Sequence, residues 1–418
     1  MMARKQAFFF TNNALSKAML LKVVGRLLLA RGKSMAQRVR GIISDFFGIE
    51  PSRLYLFAAG RMGVYTLLKS LDMRPDEHVI VAGYTCVVLS NAVKFAGCQI
   101  RYVDVRKDDF NIDTDKLLQV IDSNSRVLIA PHNFGIPYGD IDLIKSRYPE
   151  LIVIEDVAHS FGSRDANGRL CGRLGDASFF SLEYSKPITS GLGGILLINN
   201  PELQAAFRKR YEALPYFPLS TSLKILLSLL ALNLTYTRKS DFFQRAASRL
   251  LRSLGLQYGT SQGEIDGRKP EHYPAKLRHF LAAILLPQME EIEPINQRRK
   301  RLVESYAEAF SAYRDIEPLS QKGEVMVRYP ILFKEHVQKA QVDAIKREAA
   351  DAGLRLGEWF NDVVHPSGSY RYGYEAGSCP VGEFIASRII NLSVNAHYPP
   401  RDSDINELKQ IFEKHGIS

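Results

Sequence analysis

From about residue 52 to 200 the chain repeats one pattern: a short apolar run, a turn, then an amphipathic stretch of helical period. Val79-Ile80-Val81, Ile100–Val103, Val127–Ile129 and Leu151–Ile154 read as short buried strands. Val88–Phe95, Thr114–Ile121 and Ile141–Tyr148 read as the helices between them, and Val64–Leu71 as a helical stretch upstream. Such alternation predicts an α/β fold whose mainly parallel central sheet is covered by helices on both faces. Ligands of such sheets lie beyond the carboxyl ends of the strands. Past Asn199-Asn200-Pro201 the character turns helical, ending in the polar segment Tyr258–Gly267. Leu281–Phe310 predicts one long helix kinked at Pro294, and Met326–Ser418 a smaller α/β domain.

This divides the chain into a basic helical segment (1–50), a large domain (51–275), and an interdomain helix with a small C-terminal domain (276–418). A helical insertion at about 212–265 lies within the large domain. With 46% hydrophobic and 24% charged residues, the composition is that of a soluble globular protein. The four cysteines form no CxxC pair, which speaks against a zinc site or a disulfide framework and for a reducing compartment. Polar Thr11-Asn12-Asn13 interrupts the Phe8–Phe10 run, so no cleaved signal peptide is expected, and the most apolar stretch, Leu223–Leu234, is too short to span a bilayer. A cytoplasmic protein is expected.

Charge changes the picture. Of the net +10, residues 1–50 carry +7 and residues 208–252 another +7, leaving the remainder at −4. Both basic segments are rich in Leu, Ile and Phe. One reading packs the insertion against residues 15–47 as an extra helical layer; another rests a basic apolar face on an anionic membrane or a membrane-bound partner. Nucleic acid is not expected, since few aromatics interleave with the basic residues and no nucleic-acid module is visible.

The chemistry concentrates in two runs, Ile154-Glu155-Asp156-Val157-Ala158-His159 and Phe180-Ser181 through Lys186, followed by Gly193-Gly194. Asp156 ends an apolar strand, so its carboxylate emerges at the ligand edge, where it can keep a pyridine nitrogen protonated. Lys186 can form an imine with an aldehyde and then shuttle protons. Ser181 can offer a hydroxyl to a phosphate, and Gly60-Arg61-Met62 leads into the helical stretch Val64–Leu71, at whose start N–H groups suit an anion. Taken singly each has an ordinary reading: Asp156 a helix cap, Lys186 a solvated lysine, His159 a buried histidine, Ser181 a small core residue. Their order and spacing together point to a pyridoxal-phosphate site.

These runs resemble the DegT–StrS family of sugar aminotransferases, of fold type I. Further matching pieces are Gly60-Arg61, Gly83-Tyr84-Thr85-Cys86, Val103-Asp104-Val105 with Asn111-Ile112-Asp113, and His132-Asn133-Phe134-Gly135 with Asp140. The resemblance implies that Lys186 is the Schiff-base lysine, that Asp156 pairs with the cofactor's ring nitrogen, and that His159 lies near the ring hydroxyl. It implies that Ser181, Gly60 and Arg61 bind the phosphate, with Met62 beside them, and that Cys86 lines one face of the ring. It further implies a homodimer, glutamate or glutamine as amino donor, and a nucleotide-linked keto-sugar as acceptor, for polysaccharide or glycan biosynthesis. Two alternatives accompany that reading: a non-catalytic cofactor-binding scaffold, and a sugar dehydratase, a type in which a histidine replaces the lysine. Two stretches depart from the family. Pro274-Ala275-Lys276 stands where members carry a cross-subunit Asn-Tyr-Arg, leaving His272, Tyr273 and Lys276 as open substitutes, and Asn391–His397 stands where members carry Leu-Pro near a histidine.

Overall fold

Alternating burial on two faces explains why the apolar runs pair into one sheet. The strands are β1 (Leu54–Phe57), β2 (His78–Ala82), β3 (Thr85–Cys86), β4 (Gln99–Val103), β5 (Ser125–Pro131), β6 (Ile152–Asp156), β7 (Ala177–Ser181) and β8 (Gly194–Ile198). In β2, Val79 and Val81 enter one core while Ile80 and Ala82 enter the other. β5 divides the same way, Val127 and Ile129 against Leu128 and Ala130. Successive side chains of a strand point to opposite faces, so a strand apolar at every position needs cover on both. The computed structural model describes residues 15–29, 32–235, 242–254, 260–319 and 325–418; the Phe8–Phe10 run, Tyr258 and Gly259 lie outside the described residues.

The seven-stranded sheet has the order β1-β8-β7-β6-β5-β2-β4. β8 runs against both its neighbours, and the other pairs are parallel. Pro131, Asp156 and Phe179 stand level across β5, β6 and β7. The loops that leave these strands therefore begin at one edge.

Towards the C-terminus, β9 (Arg328–Leu332) and β11 (Ile389–Ser393) form an antiparallel pair accompanied by helices Lys339–Asp351, Pro380–Arg388 and Asp402–Lys414. The short β10 (Val364–His365) pairs in parallel with β3 and brings the C-terminal region onto the carboxyl edge of the large sheet.

Three expectations need correction. The first helix after β1 runs Gly60–Ser70, starting four residues before Val64. Gly60 permits this: a Cβ there would lie 2.7 Å from the carbonyl oxygen of Phe180. Leu281–Phe310 is not one kinked helix. Short helical pieces run from His279 to Glu290, the chain breaks at Glu291, and a helix spans Ile292–Phe310. Pro294 falls in the first turn of that last helix, where its missing N–H would have had no intrahelical partner, so nothing is left to kink. Third, the insertion is only partly an outer layer. Helix Lys17–Leu29 does pack on helix Leu219–Leu234, and helix Gly32–Phe47 on the 279–290 pieces. The insertion's far end, however, turns inward to the carboxyl edge of the sheet.

Candidate active site

Each loop at that edge delivers one or two polar groups, and they border a common cavity of about 300 Å³. Gly60 and Arg61 follow β1, Cys86 ends β3, Asp156 ends β6 with His159 just beyond it, and Ser181 ends β7 with Lys186 five residues on. All of these expected residues except Met62 line the cavity. Met62 is buried in the apolar core and its N–H donates to the Ala59 carbonyl at 3.0 Å, so it offers the cavity no group.

Asp156 and Lys186 supply the two charged functions. The Asp156 carboxylate accepts the Ala158 N–H at 3.0 Å. Burial raises its pKa, against the opposing effects of that bond and of Lys186. Burial likewise lowers the Lys186 pKa, with Glu183, Cys86 and Asp156 pulling the other way. A lysine held below its usual range more readily presents the neutral amine that attacks a carbonyl or takes a proton. Neighbouring Glu155, on the opposite face of β6, does structural work: it accepts the N–H groups of Gly172, Leu174 and Gly175 and pairs with His132 at 2.9 Å.

His159 is held as a neutral ring, its pKa pushed well below the usual histidine range by burial and then by Lys186. Its Nδ1 accepts the Phe134 N–H at 3.3 Å, which leaves Nε2 to carry the proton. The ring stacks on Trp359 at 4.9 Å and 11°. Trp359 also faces the Lys186 Nζ, 4.3 Å from the indole centroid, and the Arg328 guanidinium at 3.5 Å. A cationic head over an indole face is attracted by the ring quadrupole. Trp359, Phe360 and His365 thus close the cavity from the C-terminal region.

Arg61 departs from the simple expectation of a free phosphate ligand. Its guanidinium forms an ion pair with Glu264 of the insertion, 2.7 Å at closest approach, and the two side chains are only 10% and 3% exposed. Burial works against the Arg61 charge, and Glu264, together with Tyr273 and Cys86, more than offsets it. Glu264 is fixed in turn by a capping box with Ser261, and its carbonyl accepts from Asn91 at 2.7 Å. Thr260 and Ile265 flank it on the cavity wall. Of the three open substitutes, Tyr273 comes next to the site, donating its hydroxyl to the Arg61 carbonyl at 3.1 Å. Lys276 bonds the Glu212 carbonyl and His272 packs on Phe217; neither lines this cavity. Trp359, Phe360, His365, Thr260, Glu264 and Ile265 were missed by sequence reasoning. Two signals were available: Trp359 is the sole tryptophan of the chain, and Ser261-Gln262-Gly263-Glu264 spells a capping box.

The donor set fits pyridoxal phosphate: a half-buried carboxylate for a ring nitrogen, a half-buried amine for an aldehyde, and a hydroxyl beside a helix start for a phosphate. Among the described residues no cluster of metal-ligating side chains occurs.

Residues 56–407 match the DegT/DnrJ/EryC1/StrS aminotransferase family, and the chain belongs to it. It is 24% identical over 361 residues to the uncharacterized protein MJ1066 of Methanocaldococcus jannaschii, covering 84% of this chain and 83% of that one. Among solved structures it is similar to PseC of Helicobacter pylori, an aminotransferase involved in the biosynthesis of pseudoaminic acid. That likeness has a TM-score of 0.73 at 17% identity and covers 98% of this chain and 99% of that one. It is also similar to the Escherichia coli GDP-4-keto-6-deoxy-D-mannose-3-dehydratase with bound hydrated PLP, with a TM-score of 0.70 at 14% identity over 98% and 100% of the two chains. At these identities the two structures speak for the fold. The family carries the class: a pyridoxal-phosphate aminotransferase of the sugar-aminotransferase type.

Proposed function

We propose that this protein moves an amino group from glutamate or glutamine to a keto-sugar carried on a nucleotide, for the biosynthesis of a polysaccharide or another glycan. The observation that carries the proposal is the meeting of the Lys186 amine and the Asp156 carboxylate on one buried cavity, in a chain of an aminotransferase family. Pyridoxal phosphate, when bound, supplies the aldehyde and the electron-withdrawing ring that such transfers need.

The chain's own residues then have distinct tasks. Asp156 keeps a proton on the ring nitrogen, and its burial makes that charge-assisted contact strong. Lys186 is the general acid and base, because one amine close to both carbon atoms can lift a proton from one and return it to the other. His159 offers its Nε2 proton to the ring hydroxyl. Ser181, the first N–H groups of helix Gly60–Ser70 and the Arg61 guanidinium bind the phosphate. Cys86 lines one face of the ring. Trp359, Phe360 and His365 keep water from the reacting atoms. A homodimer is part of this reading.

The proposal favours amine transfer over dehydration because Lys186 occupies the position at which the dehydratases of the resembled family carry histidine. It favours catalysis over a scaffold because Asp156, Ser181 and Lys186 are all present at the cavity. Incubating the cofactor-loaded protein with glutamate or glutamine and measuring pyridoxamine phosphate by mass spectrometry tests it. Product is expected with at least one donor, and its amine should then pass to a keto-sugar nucleotide. No pyridoxamine phosphate with any amino donor would leave the scaffold reading in its place.

A further inference from the structure

Large apolar side chains left on the surface of this protein are concentrated on one face. Among the described residues, eight of the eleven exposed large hydrophobics belong to three helical segments. Helix Lys17–Leu29 exposes Leu21 and Val24, and helix Leu219–Leu234 exposes Leu219, Leu223, Leu227 and Leu234. Leu250 and Leu254 stand out at the end of helix Phe242–Ser253. The first helix packs on the second and the second on the third, so the three helices adjoin. At 100° per residue the four leucines of the second helix fall within about 80° of arc, a narrow line rather than scatter. Ile225 and Leu229 of the same helix are buried in the protein core, so its inward face is already occupied.

The same segments carry the charge. Lys17, Lys224 and Arg249 are exposed on these three helices. Residues 1–50 and 208–252 together hold a net +14, against −4 for the rest of the chain. Two copies meeting through this face would bring like charges together, which disfavours self-association there. A leucine line fringed by lysine and arginine suits a surface that is anionic outside and apolar beneath, as a bilayer with acidic lipids is. No helix among the described residues is long and apolar enough to cross a membrane, which leaves attachment in the plane.

We infer that these three helices form a peripheral docking face for anionic membrane, with the leucines inserted between headgroups and the basic residues paired to lipid phosphates. None of the exposed leucines or basic residues named on this face lines the catalytic cavity, so docking and catalysis can be read separately. The test is co-sedimentation of the full-length, cofactor-loaded protein with vesicles of phosphatidylcholine alone or mixed with phosphatidylglycerol. The protein should pellet with the mixed vesicles at low salt, and hardly at all with phosphatidylcholine or at high salt. The double variant Leu223→Glu/Leu227→Glu, with its circular dichroism and visible cofactor absorbance unchanged, should bind the mixed vesicles at least about tenfold more weakly. Lys224→Glu/Arg249→Glu leaves the apolar line intact and decides the question if the leucine variant fails to fold; it should weaken binding and flatten the salt dependence. Absence of pelleting with mixed vesicles would overturn the inference. So would binding by both variants as tight as the parent's, or a halved mass in light scattering for the leucine variant, which would make this face an interface between copies.

Discussion

Replacing Glu264 by glutamine removes the carboxylate that balances a buried arginine, and the structure fixes the size of the effect. Arg61 and Glu264 are almost fully enclosed and approach to 2.7 Å. Removing one partner of such a pair strands the other charge, at a cost of about 3–5 kcal/mol. An unfolding entropy of about 2.1 cal/mol/K per residue, over 418 residues, makes 1 kcal/mol worth about 1 °C in melting temperature. Glu264→Gln should therefore melt about 3–5 °C below the parent. Some of this belongs to the capping box, in which Ser261 and Glu264 serve each other. Ser261→Ala measures that part separately, at about 1 kcal/mol. If Arg61 also faces the cofactor's phosphate, the bound phosphate supplies the missing counter-charge. Saturating pyridoxal phosphate should then recover more of the melting temperature in Glu264→Gln than it adds to the parent. Thermal unfolding followed by circular dichroism, with and without cofactor, reads both quantities. A variant that melts within about 1 °C of the parent would refute the buried pair. An equal cofactor increment in both proteins would refute the phosphate role of Arg61.

Other outcomes follow from neighbouring groups. Asp156→Asn cannot hold a proton on the ring nitrogen as a carboxylate does, so the half-reaction with amino donor should slow about a hundredfold or more while cofactor still binds, as stopped-flow absorbance would record. Gly83→Val should be destabilising by about 1–3 kcal/mol and lower the melting temperature, because a Cβ at residue 83 would lie 2.2 Å from the Cys379 sulfur. His365 is held neutral by burial, with its pKa lowered to about 3. Between pH 6.5 and pH 3 the unfolded chain therefore binds a proton that the folded chain does not, and stability falls as pH falls. By pH 5 this amounts to about 2 kcal/mol, and His365→Gln should flatten that part of a melting-temperature profile.

The large domain was readable because its signals are local. Most buried strands of the sheet are apolar runs, and the residues with chemistry sit at a strand end or within five positions past it. Asp156 ends β6, so the strand read at Leu151–Ile154 already set it at the carboxyl edge; Ser181 ends β7, a strand that no sequence reading assigned. Met62 does not line the cavity, since adjacency to Gly60 and Arg61 says nothing about which way a helical side chain turns. What escaped was everything that reaches the site from far along the chain. Trp359 and His365 arrive through the pairing of β10 with β3, a two-residue contact between segments nearly 280 positions apart. Glu264 arrives because the insertion folds back, and only a three-dimensional structure shows that its carboxylate meets Arg61. The interruption before Ile292 was hidden because a proline reads as a kink only if the turns before it are helical; here they break at Glu291.

The central claim is that Lys186 engages pyridoxal phosphate and takes part in amine transfer. The most direct measurement is the visible absorption spectrum of purified protein before and after glutamate, recorded beside Lys186→Ala. The parent should be yellow, and the band should fade as glutamate converts the cofactor to its amine form. The variant should lack that band or show it displaced, with no response to glutamate on the same timescale. A parent that stays colourless and takes up no added pyridoxal phosphate would contradict the account, as would a variant whose spectrum and response match the parent's.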